Sequence, residues 1–248
     1  MSLPKLDVPL YTFVAPSTGK EYKFRPFTVK EQKLLLMANE DKENVDIHET
    51  IKQLVENCVV SPDFKFENLS LFDLEYLFIQ LRMRSIGETI SLDYVCKNFV
   101  EEKTCDNPMK IDFDLKTIAP PAFDKNNKKI FFTDKVGIVM RYPGTEMIRK
   151  TSAFASDKNA EKSVGSLLFD MIVDCVDYIF DGEKIFYARD IDRDEIVDFV
   201  ERLTTKDFEK IQNFIESLPV TKSEIVHTCG KCGFVHKIPL EGLTNFFD

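Results

Sequence analysis

The apolar positions of this 248-residue chain change period along its length, and the changes predict its elements. Between Leu6 and Pro26, short apolar runs flank Pro16, Ser17, Thr18 and Gly19, a turn composition that predicts two short strands. Thr28 with Glu31 three residues on is a capping-box signature, and Leu34 to Met37 give the apolar part of the helix it opens. Asp46 caps the next helix, with Glu49 at the reciprocal position. Ile47, Ile51, Leu54, Val55, Cys58 and Val59 recur at helical spacing behind it. A third helix begins near Ser70 and carries Leu74, Leu77, Phe78 and Leu81.

The period then drops to two. Ile90, Leu92 and Tyr94 alternate with polar residues, and so do Met109, Ile111, Phe113 and Leu115, which predicts an antiparallel hairpin with a polar tip between. Ala119 to Ala122, with Pro120 and Pro121, is a linker. A further hairpin is expected over Lys129 to Tyr142, turning at Thr133 to Lys135. Helices return after Pro143, the strongest expected over about 160–180, with Val164, Leu167, Leu168, Met171, Ile172, Cys175 and Ile179 on one face. Lys184 to Tyr187 reads as a short strand. Two helices follow, carrying Ile196, Phe199, Val200 and Leu203, then Phe208, Ile211, Phe214, Ile215 and Leu218, with Pro219 as the stop. Glu224 to Cys229 and Phe234 to Leu240 are again extended. The expected fold is α+β: a mostly helical body with β-hairpins in the middle and a C-terminal zinc-ribbon-like hairpin. It is read as a single intertwined unit over residues 1–248: N-terminal strands and helices (1–87), a β-hairpin region (88–142), a helical region (143–218), and a Cys-knuckle hairpin with an apolar tail (219–248).

Composition narrows the function. The net charge is −9, and no Lys/Arg run supplies the counterion-releasing face that a duplex binder needs, so nucleic acid is not an expected partner. No apolar run approaches the ~20 residues of a membrane span. Met1 to Lys20 lacks a basic region followed by an apolar stretch, so a cytosolic location is expected, and with it reduced cysteines.

The six cysteines divide by context. Cys58 and Cys175 sit in apolar helical stripes and read as small core residues. Cys229-Gly230-Lys231-Cys232-Gly233 is a knuckle: two thiolates two residues apart close around one metal, and Gly233 permits the turn that aims backbone amides at sulfur. Extended residues on both sides argue against a thioredoxin-like redox pair. One knuckle supplies half a tetrahedral site. Cys96 and Cys105, at the tip of the middle hairpin, are the favoured source of the rest; His227 or His236 is the alternative. Zinc is the default ion, an iron–sulfur cluster has the same ligand type, and plain thiols without metal stay open. Four thiolates would make the site structural.

Catalytic chemistry is sparse. The three histidines are His48, expected on the solvated surface of a helix, and His227 and His236 on the arms of the knuckle. No local motif pairs a nucleophile with a base, and there is neither a Walker loop nor a G-x-G-x-x-G fingerprint. The run from Asp190 to Glu195 reads as helix capping and a solvated face.

Two stretches carry a resemblance. Ser17-Thr18-Gly19-Lys20-Glu21-Tyr22-Lys23-Phe24-Arg25-Pro26-Phe27-Thr28-Val29-Lys30-Glu31 runs into Leu34-Leu35-Leu36-Met37-Ala38, and the Cys229 knuckle is followed by Leu240-Glu241-Gly242-Leu243-Thr244-Asn245-Phe246-Phe247. Together they resemble the N- and C-terminal signatures of the baseplate hub and hub-assembly proteins of T-even-type contractile-tailed bacteriophages. The resemblance implies a non-enzymatic hub component or assembly factor, working through contacts with other baseplate hub or tail proteins, in the host cytoplasm or in the virion tail baseplate. It implies no catalytic residues. Arg25, beside Phe24 and Phe27, reads first as an ion-pair partner among core aromatics and alternatively as a partner anchor. Leu243, Phe246 and Phe247 fit one face of a short helix and should be buried, against this chain or in a partner's groove. The competing readings are a metal-ribbon module that binds nucleic acid and an uncharacterised enzyme.

Overall fold

The computed structural model describes residues 6–40, 46–100, 102–122, 127–156 and 164–241. The first strands are β1 (Tyr11–Val14) and β2 (Glu21–Phe24), an antiparallel pair closed by Gly19 at φ +73. Helix α1 (Val29–Glu40) starts as the capping signature requires: the Thr28 backbone N–H donates to the Glu31 carboxylate at 2.8 Å. Helix α2 (Ile47–Cys58) is capped by Asp46, whose carboxylate accepts from the amides of His48 and Glu49. Helix α3 (Leu71–Ser85) opens on a complete capping box between Ser70 and Asp73. These elements enclose the first core, in which Phe13, Phe24, Phe66, Phe78, Leu54, Leu74, Leu77 and Leu81 are fully buried.

Strand β3 (Thr89–Val95) pairs with β6 (Pro108–Asp114) in the register Ile90↔Phe113, Leu92↔Ile111 and Tyr94↔Met109. The polar tip folds into its own small ladder, β4 (Phe99–Val100) with β5 (Lys103–Thr104). Further on, β7 (Lys129–Phe131), β8 (Val136–Met140), β9 (Val176–Asp181) and β10 (Lys184–Tyr187) make one antiparallel sheet of order β10-β9-β8-β7. Helices α4 (Glu146–Ser156) and α5 (Val164–Asp174) lie between β8 and β9; α6 (Arg193–Glu201) and α7 (Thr205–Glu216) follow β10. The C-terminal hairpin is β11 (Lys222–Thr228) and β12 (Val235–Glu241).

The expected helix over about 160–180 is corrected. The chain stays helical only to Asp174, and Val176–Asp181 is an inner strand of the four-stranded sheet. Val176 and Phe180, four apart, share a face at either period, Ile179 is buried on the strand's other face, and pairing with β8 decides for the strand. Gly137 allows that pairing to be tight: a Cβ there would lie 2.3 Å from the Ile130 carbonyl oxygen and 2.4 Å from the Phe180 ring. The expectation for His48 is corrected as well. Its side chain is 6% exposed, edge-on to Phe66 and 3.5 Å from the Glu49 carboxylate, because the face of α2 that carries it turns toward the segment Phe66–Asn68.

The chain does not fill its cores in sequence order. The β11–β12 hairpin does not join the neighbouring β7–β10 sheet. It returns to the β3–β6 hairpin, where Ile225 and Leu240 share a second core with Ile90, Ile111, Leu115 and Ile79 of α3. A third core, with Ile138, Met140, Ile172, Ile211 and Phe214, lies in the sheet-and-helix region between. Helix α3 serves two of the three, giving Leu74, Leu77 and Leu81 to the first and Ile79 to the second.

Candidate metal centre

The returning hairpin brings its knuckle to the tip of β3–β6. Cys96, Cys105, Cys229 and Cys232 converge there, all four sulfurs lying within 4.8 Å of one another. Nearest across the two hairpins are Cys96 with Cys232, at 3.6 Å, and Cys105 with Cys229, at 3.9 Å. Nine positions separate Cys96 from Cys105, a wide spacing for one knuckle. The β4–β5 ladder absorbs it by folding the intervening residues back on themselves. The Cys105 amide donates to the Asn98 carbonyl and the Cys96 amide to the Asn107 carbonyl, each at 2.9 Å, so the two cysteines face each other across the ladder.

Both hairpins end in the same local geometry. The residue after the second cysteine has a left-handed backbone: Asp106 at φ +48 and Gly233 at φ +72. Glycine occupies that region without strain, and Asp tolerates it better than most residues. The reversal turns the amide two residues beyond each cysteine back toward sulfur, so that Asn107 donates to Cys105 and Phe234 to Cys232. Asn98 does the same for Cys96. Cys229 receives two amides, from Cys232 and Lys231, which draw its thiol down to about 6. The Phe234 amide lowers Cys232 in the same direction, whereas burial pushes Cys96 up to about 12 and raises Cys105. Cys58 and Cys175, away from the cluster, are pushed up to about 12 by burial and behave as core thiols.

Four thiols in tetrahedral reach, each with a backbone donor, can hold a metal ion of the zinc or iron type. A family model described as T4 bacteriophage base plate protein matches residues 8–248, almost the whole chain. The chain belongs to the T4 bacteriophage base plate protein family. No curated protein and no solved structure matches it. In this baseplate protein the cysteine cluster therefore lies inside the matched region, on two hairpins far apart in sequence. Among the described residues, no helix is long and apolar enough to cross a membrane.

Of the two ligand sources the sequence leaves open, the structure assembles the all-cysteine one. His236 lies against Cys96, its Nε2 3.1 Å from the sulfur, and the four sulfurs complete the group without it. Two residues were missed by sequence reasoning. Asn98 and Asn107 direct their side-chain amides at Cys232 and Cys229, at 3.7 and 3.6 Å. A signal for them exists in the repeated pattern Cys96-Lys97-Asn98 and Cys105-Asp106-Asn107, which has meaning only once both cysteines are known to be ligand candidates.

Arg25 is elsewhere, in the first core region. Its guanidinium donates to both carboxylate oxygens of Glu31, at 3.1 and 3.0 Å, and to the Pro26 carbonyl. The Arg25 side chain is 21% exposed and the Glu31 side chain fully buried. Burial alone would raise the Glu31 carboxyl; hydrogen bonds from Arg25 and Thr28 outweigh it and hold the group down to about 2. Leu243, Phe246 and Phe247 lie outside the described residues.

Proposed function

We propose that this chain is a component or assembly factor of the baseplate hub, acting through protein–protein contacts, and that a zinc ion on Cys96, Cys105, Cys229 and Cys232 fastens its C-terminal hairpin to its middle hairpin. The convergence of four sulfurs from two hairpins, inside a baseplate-family chain, carries the reading. Four thiolates fill a tetrahedral ion and leave no position for water or substrate, so the ion is structural. When bound, it supplies a cross-link. Each two-stranded hairpin is marginal alone, and the core they share includes three of the four cysteines. Both ends of the hub reading are open to test by co-expression with the other hub proteins of the same phage. The chain should copurify with at least one of them in fixed ratio; purification alone from every pairing would overturn the hub role. Elemental analysis of protein made without chelators should give one zinc per chain. Less than about a tenth of an equivalent of zinc would overturn the zinc assignment, and iron in its place would reassign the ion.

A further inference from the structure

The side chains around the four sulfurs raise a question of hydrogen bonding. His236 is 6% exposed, and the neighbour of its Nε2 is the Cys96 sulfur. Asn98 and Asn107, both half-buried, point their amide nitrogens at Cys232 and Cys229. A neutral thiol is a weak acceptor, a poor reason to bury an imidazole and turn two carboxamides inward. A metal-bound thiolate is a strong one. Four thiolates around a divalent cation also carry a net charge of two minus, with three of the four cysteines buried. Uncompensated charge in such a place is costly, and N–H donors are what offset it.

From this we infer that His236, Asn98 and Asn107 are positioning residues of the metal centre, donating from Nε2–H to Cys96 and from the side-chain amides to Cys232 and Cys229. The inference rests on the metal reading above and deepens it. The donors are distributed with purpose: each asparagine follows a cysteine of the middle hairpin by two residues, and its side chain crosses to a cysteine of the C-terminal hairpin. Its backbone amide meanwhile serves its own hairpin's sulfur. Each therefore ties one hairpin to the other through the charge on sulfur. Cys105 receives no side-chain donor among the described residues, but the Lys231 ammonium sits on its carbonyl at 2.9 Å and brings a positive charge to that corner. Donation from Nε2 fixes the imidazole tautomer, as the partners of metal ligands commonly do.

The imidazole also packs edge-on between Tyr94 and Phe234, so packing and donation must be separated. His236→Phe keeps an aromatic ring and removes the donor, whereas His236→Gln loses the ring and keeps an N–H near the Nε2 position. The full-length chain is loaded with zinc, and release to a coloured chelator is followed, together with the melting temperature of the metal-free protein. Donation predicts release about 10–100-fold faster for His236→Phe, the range seen when outer-shell partners are removed. His236→Gln should stay near wild type. Asn98→Ala and Asn107→Ala should each accelerate release, and more when combined, with no change in the metal-free melting temperature. If His236→Phe releases zinc like wild type while His236→Gln is the fast one, the imidazole serves packing and the inference is overturned. Asparagine variants that melt lower without metal yet release zinc at the wild-type rate overturn it equally. A wild-type chain that binds no metal removes both this inference and the metal reading, whereas firm binding with indifferent variants removes this inference alone.

Discussion

Residues 11–85 bury four phenylalanines completely and close the starts of α1, α2 and α3 with side-chain hydrogen bonds. The two hairpins that carry the cysteines bury no phenylalanine fully, and β3 has Ile90 as its single buried residue. The first region thus has apolar area enough to hold itself, at about 1.5–3 kcal/mol for each large side chain. The second is two ribbons of two strands, a size that rarely stands alone in water and is commonly stapled. The difference teaches where a metal would contribute most to a fold: at the contact between elements whose only core is the one they share.

Removing the proposed zinc staple is the hardest test of this contrast. Structural zinc in small domains contributes on the order of 10 kcal/mol of binding free energy, and binding energy is folding energy. Cys229→Ser, or stripping the ion with a chelator, should abolish hydrogen-exchange protection over 89–114 and 222–241 and leave 11–85 protected. Uniform loss would mean that the two regions form one cooperative unit, and the contrast would fail. The converse change is smaller. Leu77→Ala should cost about 3–4 kcal/mol, as cavity-forming substitutions in packed cores do, with zinc content unchanged. Denaturant unfolding and elemental analysis of the same preparation check both halves.

The Arg25–Glu31 pair is next in size. Arg25→Met leaves a buried carboxylate without its partner and should cost about 3 kcal/mol by denaturant unfolding at neutral pH. The pair also sets an acid limit. The Glu31 carboxyl is held at about 2 against an ordinary 4.5, so its stabilising effect is complete above the ordinary value and is lost as pH falls through about 2. Wild type should lose stability between those values more steeply than Glu31→Gln; parallel pH profiles would show that the pair is not the acid-sensitive group. The smallest effect is at a cap: Ser70→Ala should cost about 1 kcal/mol and start α3 less sharply, measurable as a modest drop in melting temperature.

Much of this architecture was legible in the sequence because its signals are local. The capping signatures at Thr28 and Asp46 mark two helix starts, and the alternation at Ile90–Tyr94 and Met109–Leu115 marks the two strands of a hairpin. The helix expected across Cys175 failed because a strand buried on both faces places apolar residues at helical spacing as well, and a partner strand more than thirty residues earlier decides between them. His48 failed for a similar reason: nothing near it in sequence announces that Phe66 will cover it. At the centre, the cysteines were legible as thiols in pairs. Their donors were not, since Asn98, Asn107 and His236 gain their meaning from sulfurs more than a hundred positions away.

That separation also sets an order of events during synthesis. Cys105 and Cys229 are 124 positions apart, and Cys96 and Cys232 are 136 apart. A ribosome adding roughly 5–20 residues per second needs roughly 6–27 s to travel from one member of a pair to the other. For most of that interval the middle hairpin carries half of the candidate ligand set, while the β7–β10 sheet and its helices are still being made. On the metal reading, an ion could be locked in only after that sheet has been translated, so a locked centre would certify that translation has run through the C-terminal knuckle. A chain cut short inside the sheet would never acquire it.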